Sequence, residues 1–368
     1  MTYWSPPNPT GLGTSAFRAL LAAAEPIAAP PTAPVAAESP SRATDPFPGL
    51  HCPEPVRIDE PLGEQVNNRV LSWAEALGFP PSVMTMLRVA NFGRFAMLAH
   101  PDSDDVDRLF ATASWTAALT VMDDYYCDDE ALGAEPALLG SRLTLALAAI
   151  DRGQLVGGYQ AQLDAAIAAD PILAALRSSV EELSRFGTPA QLGRAILEND
   201  HFFIGTTGEM SWRVTGEMPP VWRYLAARQV NSFLPCVTTT DLVTGYQLPA
   251  ELYFEPRLRR ATKLLGLTTV IVNDLYSMAK ESAQDSPDGG LPLVVSAERG
   301  CSLAEAAAIS VDIHNEVMAA FDDECRELTE IGSVELHFFL AGIRNWAAGS
   351  REWHRSSVRF RDADHRTE

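Results

Sequence analysis

The chain has 368 residues, 46% of them hydrophobic, enough for one large domain or two ordinary ones. With 28 Lys and Arg against 48 Asp and Glu, its formal net charge of −20 opposes nonspecific association with nucleic acid or anionic membranes, both of which need basic surface. No run of about 18 apolar residues suits a membrane helix, and no basic flank followed by an apolar stretch marks a signal peptide. The cysteines (Cys52, Cys127, Cys236, Cys301, Cys325) are scattered without a C-x-x-C pair, which suits neither a disulfide framework nor a zinc site. A soluble cytoplasmic protein is expected.

Residues 1–50 are rich in Pro, Ala, Ser and Thr, as in Ala28-Ala29-Pro30-Pro31-Thr32-Ala33-Pro34. Such a composition buries too little apolar surface to offset its ordering entropy and reads as a disordered extension. The glycines of Gly11-Leu12-Gly13-Thr14-Ser15-Ala16 follow no strand and open no βαβ unit, so they carry no dinucleotide reading. Residues 51–368 form the folded domain.

Helical signals dominate that domain. Leu71, Ala74 and Leu77 share a face that ends near Gly78 and Pro80, and Pro81-Ser82 open a helix through Met86, Leu87 and Phe92. Asp102-Ser103-Asp104 forms an N-cap cluster before Val106 and Phe110. Further helices are predicted over 141–151, 155–169, 171–186, 189–203, 220–234, 256–280, 302–330 and 333–354. Gly and Pro clusters at 187–189, 216–220 and 287–292 punctuate them. No period-2 strand series and no internal repeat are present, so the expected fold is all-α and single-domain.

Two polar constellations interrupt this apolar pattern. From Phe110 the sequence FATASWTAALTVMDDYYCDDE places Trp115, Leu119 and Met122 on an apolar helix face that ends in Asp123, Asp124, Asp128 and Asp129. Carboxylates gathered at the negative end of a helix repel one another unless water or a cation screens them. The stretch Asn273-Asp274-Leu275-Tyr276-Ser277-Met278-Ala279-Lys280-Glu281 puts Asn273, Ser277 and Glu281 at i, i+4 and i+8 of one helix. An amide oxygen, a hydroxyl and a carboxylate are hard ligands suited to Mg²⁺, and Lys280 offers a cation for an anion held by the metal. Both stretches also suit solvated helix ends. Asp322-Asp323-Glu324 is equally acidic but lacks a polar partner stripe and reads as surface. Between the two constellations, Arg228 lies in a helix that Pro235 interrupts just beyond it, which can free backbone groups and redirect side chains. Trp346 and Trp353 share a C-terminal helix face, followed by Arg359-Phe360, while histidines 201, 314, 337 and 354 show no ligand spacing.

Taken together, residues 55–362 resemble the bacterial class I terpene synthases. Asp123-Asp124-x-x-x-Asp128 is similar to that family's aspartate-rich motif, and Asn273-Asp274-x-x-Ser277-x-x-x-Glu281 to its second metal motif. Arg228 stands where the family has its diphosphate-sensing arginine, and Arg359-Phe360 takes the place of its C-terminal Arg-Tyr pair, with the tyrosine hydroxyl missing. The resemblance implies a helical bundle in which Asp123, Asp124, Asp128, Asn273, Ser277 and Glu281 hold three Mg²⁺. Arg228, Lys280 and Arg359 then bind the diphosphate of a prenyl diphosphate substrate. Within the family, Tyr125-Tyr126-Cys127-Asp128-Asp129, the wording NDLYSMAKE and the Pro/Ala-rich extension resemble the 2-methylisoborneol synthases and their 2-methylenebornane-forming relatives. Cyclisation of 2-methylgeranyl diphosphate is implied, with Trp115, Leu119, Phe233, Trp346 and Trp353 as candidates for an apolar pocket wall. An alkene product by proton loss, a sesquiterpene cyclase acting on farnesyl diphosphate and a non-catalytic all-α scaffold remain alternatives. The sequence leaves a monomer or a homodimer open.

Overall fold

The computed structural model describes residues 45–128, 134–151, 153, 155–282 and 290–357, without the side chains of Asp128 and of residues 279–282. Their helices are α1 (Glu60–Ala76), α2 (Pro81–Ala90), α3 (Phe92–Ala99), α4 (Val106–Asp123), α5 (Leu139–Ile150), α6 (Gly158–Ala169), α7 (Pro171–Ser184) and α8 (Pro189–Thr215). There follow α9 (Val221–Arg228), α10 (Leu234–Val237), α11 (Thr240–Thr244), α12 (Ala250–Tyr253), α13 (Pro256–Ser282), α14 (Leu291–Arg299), α15 (Leu303–Leu328) and α16 (Val334–Ser356). Among the described residues there is no strand and no helix long and apolar enough to cross a membrane.

Local chemistry sets the helix ends. Asp105, rather than the cluster at 102–104, caps α4 by accepting from Asp107 N at 2.9 Å and Arg108 N at 3.2 Å. Thr188 with Gln191, and Ser302 with Glu305, form reciprocal capping boxes on α8 and α15. The sequence places the end of α8 near residue 203, yet the helix runs on to Thr215 and stops where Gly216 turns left-handed at φ 66°. Gly205 and Gly208 lie inside it: a helix backed by tertiary packing tolerates glycine, and Gly205 is needed for a close approach described below. The Gly/Pro cluster at 287–292 ends in a helix start, because Pro292 falls in the first turn of α14, where its missing N–H costs nothing.

Helix α13 organises the packing. Leu258, Ala261 and Leu265 belong to the large core built with α1, α3, α4, α7 and α16. Half a helix further on, Val270, Ile271, Val272 and Leu275 belong to a second core built with α14 and α15. The residues that carry metal-type donors therefore emerge toward the far end of a helix anchored in both apolar cores. Residues 46–50, assigned by composition to the extension, belong to this folded unit. Phe47 meets the Tyr276 ring edge-on at 5.3 Å, Leu50 is buried, and Gly49 O accepts from Asn315 Nδ2 at 2.9 Å. Residues 1–44 lie outside the described residues.

Candidate active site

Asp123, Arg228 and Asn273, drawn from α4, α9 and α13, line one cavity of about 90 Å³ together with Cys127, Glu209, Arg213, Tyr224, Asn231 and Asp274. Residues 105 and 45 positions apart in the sequence thus line the same cavity. Ser277 lies one turn beyond Asn273 on the same helix and is buried. Lys280 and Glu281 continue that helix, but their side chains lie outside the described ones, as does that of Asp128; Arg359 and Phe360 are outside altogether.

The aspartate motif departs from the α-helical stacking expected of it. Helix α4 ends at Asp123, and Asp124–Asp128 form a π turn. The wider winding means that Asp124 and Asp128 do not stand directly above one another as α-helical i, i+4 residues do. Arg213, in the last turn of α8, donates to the carbonyl oxygen of Cys127 and so grips this turn. The acidic run 322–324 behaves differently. Arg344 pairs with Asp322, Arg326 with Asp323 at 2.8 Å, and Arg260 with Glu324 at 3.2 Å, so ordinary surface cations satisfy it.

Arg228 is held by two carboxylates. Its Nη2 donates to Asp274 Oδ1 at 2.8 Å, and its Nη1 reaches Glu209 Oε2 at 3.4 Å. Asp274 is buried; its Oδ2 also accepts from the Tyr224 hydroxyl at 2.8 Å and from Leu291 N at 3.1 Å. The second residue of the Asn-Asp pair is therefore an anchor that ties α9 and the start of α14 to α13. The helix predicted over 220–234 stops at Arg228. Residues 229–233 are irregular, and Pro235 sits in the first turn of the separate α10. The break permits a close approach of two backbone segments: a Cβ on Gly205 would stand 2.8 Å from Asn231 N, so α8 passes against the irregular backbone without a side chain between them. Asn231 donates to the same Glu209 carboxylate that faces Arg228.

Asn273 is contacted from α16. Its Nδ2 lies 3.1 Å from His354 Nε2, and His354 Nδ1 lies 2.7 Å from the carbonyl oxygen of Ser350. Sequence spacing did not single out His354, Glu209, Arg213, Tyr224 or Asp274, because their roles come from helices adjacent only in space. None of the five proposed wall residues lines the polar cavity. Trp115 and Leu119 are buried in the core, and the Trp115 indole donates to Pro235 O at 3.1 Å. Phe233, Trp346 and Trp353 instead gather on Phe95: its centroid is 6.2 Å from Phe233, 4.9 Å from Trp346 and 4.6 Å from Trp353, the last pair stacked.

The donor set fits a hard divalent cation. Carboxylate, amide and hydroxyl oxygens of Asp123, Asn273 and Ser277 suit Mg²⁺. Among the described residues no three His, Cys, Asp or Glu side chains by themselves form a cluster that could hold a metal ion.

Residues 114–320 match the family described as terpene synthase family 2, C-terminal metal binding. The chain is 36% identical to a 2-methylisoborneol synthase of Streptomyces griseus over 357 residues, 95% of this chain and 78% of the relative. It is 33% identical to that of Saccharopolyspora erythraea over 316 residues, 85% of this chain and 89% of the relative. The fold is similar to the crystal structure of 2-methylisoborneol synthase from Streptomyces coelicolor A3(2) in complex with Mg²⁺ and 2-fluoroneryl diphosphate. That likeness has a TM-score of 0.80 at 35% identity and covers 85% of this chain and 96% of that one.

Proposed function

The chain belongs to terpene synthase family 2 and is a terpene cyclase, a carbon–oxygen lyase acting on a prenyl diphosphate, and on that premise we propose that it converts 2-methylgeranyl diphosphate to 2-methylisoborneol. The observation that carries this reading is the convergence of Asp123, Arg228 and Asn273 on one polar cavity, in a chain that matches 2-methylisoborneol synthases along most of its length.

Asp123, Asp124 and Asp128 from one side and Asn273, Ser277 and Glu281 from the other would hold Mg²⁺, with three ions expected. When bound, the ions supply charge neutralisation and polarise the bond to the diphosphate leaving group. This answers the charge problem of an acidic protein that takes a polyanionic substrate. Arg228 reaches the cavity with its guanidinium already aimed by Asp274, so a diphosphate there meets a preorganised donor. Lys280 and Arg359 are assigned to the same anion. Departure of diphosphate leaves an allylic cation whose isomerisation and ring closure need an apolar, water-poor surround. Stabilisation of that cation by aromatic faces is assigned to Phe233, Trp346 and Trp353, which gather on Phe95 outside the polar cavity. Capture of one water by the bornyl-type cation, with loss of a proton from the resulting oxonium to the released diphosphate, gives the alcohol.

The test is a product assay with Mg²⁺ and geranyl, 2-methylgeranyl or farnesyl diphosphate offered separately, read by headspace gas chromatography–mass spectrometry. A C11 alcohol made mainly from the methylated substrate supports the reading. A C11 alkene changes the last step to proton loss, and sesquiterpenes from farnesyl diphosphate overturn the substrate. No turnover of any of the three overturns the activity.

A further inference from the structure

We propose that His354 is a positioning residue that fixes the orientation of the Asn273 side-chain amide, so that its oxygen, and not its nitrogen, is presented to the metal. The inference rests on the reading of Asn273 as a Mg²⁺ ligand and adds a residue to which no metal motif points.

An asparagine amide can rotate by half a turn at little cost, exchanging an acceptor for a donor of nearly the same shape. At a metal site the two orientations are opposites: the oxygen ligates a cation, and the NH₂ repels it. Something must therefore choose between them. In this protein the choice follows from a chain of two hydrogen bonds. Ser350 O is a carbonyl and can only accept, so the His354 Nδ1 facing it at 2.7 Å carries the ring proton. In the neutral ring Nε2 is then an acceptor, and Asn273 meets it at 3.1 Å with its Nδ2 as donor. With the nitrogen engaged by the imidazole, the amide oxygen is left for the cavity that Asn273 lines beside Asp123. The reversed amide would set an oxygen against the Nε2 lone pair.

The ring cannot easily turn away from this task. Trp353 meets it edge-on at 4.7 Å, Phe233 at 6.4 Å in the same manner, and Tyr276 lies 6.0 Å away at a tilt of 36°. Tyr276 belongs to the same helical turn as Ser277, so the imidazole is wedged between the aromatic group and the helix whose donor it sets. Helix α16 thereby reaches the metal site through Asn273 without supplying a ligand of its own. Metal-bound histidines are commonly oriented by an outer partner; here the histidine is the outer partner, and the ligand is the amide.

The test measures ligand binding rather than turnover: thermal stabilisation of the full chain by Mg²⁺ with inorganic diphosphate, titrated in Mg²⁺. His354→Phe keeps a ring in the aromatic surround but removes the acceptor. It should raise the half-saturating Mg²⁺ concentration about tenfold, the lower end of what outer-partner loss costs a metal site. His354→Gln places an amide oxygen near the former Nε2 and should bring that concentration back to within about twofold of wild type. A purely structural role predicts the reverse: both variants melt early without Mg²⁺ and show an unchanged Mg²⁺ dependence. Unchanged dependence in His354→Phe, or equal impairment of Phe and Gln, overturns the positioning role alone. Absence of any Mg²⁺-dependent stabilisation in the wild type overturns the metal reading and this inference with it.

Discussion

Arg228 and Asp274 form a 2.8 Å charge-assisted hydrogen bond between two helices, and Asp274 holds the same arginine's neighbours, Tyr224 and Leu291 N, with its other oxygen. The carboxylate is buried, so it stabilises only while all three donors are in place. Asp274→Ala should cost about 3 kcal/mol, the range for removing one partner of a buried pair. Denaturant unfolding checks this. A loss within about 0.5 kcal/mol, the range of an ordinary surface substitution, refutes the anchor role.

Arg228→Lys keeps the charge but cannot hold Asp274 and aim at an anion with the fixed fork of a guanidinium. Turnover per bound substrate should fall about 100-fold, as when one preorganised transition-state donor is lost. Steady-state kinetics separate the outcomes: a change confined to KM means that Arg228 contributes only ground-state binding.

Gly205→Ala places a methyl group 2.8 Å from Asn231 N, where backbone rather than a flexible side-chain tip must yield. Displacement of residues 229–233 would loosen the hold of Glu209 on Arg228 and Asn231. The expected result is a turnover loss of about tenfold or more, since misplacement by about 1 Å can cost far more than the packing change itself. Wild-type turnover in a folded variant would show that the break tolerates the shift.

Acid sensitivity should trace in part to His100. Burial pushes its imidazole from 6.5 down to about 3, and among the described residues neither ring nitrogen has a hydrogen-bond partner beside Trp346. Between those values the unfolded chain binds a proton that the folded chain refuses. Stability is therefore retained above about pH 6.5 and lost as pH falls toward 3, by up to about 1.4 kcal/mol per unit. His314, lowered by burial to about 4, acts in the same direction. Melting temperatures at pH 7.5 and 5.5 should converge more closely in His100→Phe than in wild type. An equal drop in both assigns the sensitivity elsewhere.

The sequence by itself determined the fold class, the family and the pair of metal-type motifs. These depend on periodicity and on donor spacing along single helices, which are local properties of the chain. Asn273 and Ser277 share a face because a helix repeats every 3.6 residues, whatever surrounds it. The helix predicted over 256–280 rests on the same repeat, and α13 spans Pro256–Ser282. Tertiary structure alone decided how the motifs are held. The π turn at Asp124–Asp128, with Arg213 on its carbonyl, rewound a motif that reads as plain α-helix. Asp274 became an anchor and His354 a partner of Asn273, because α9, α14 and α16 arrive there from distant parts of the chain. Hydrogen bonds between helices depend on which faces meet, and a pattern of spacings carries no record of that.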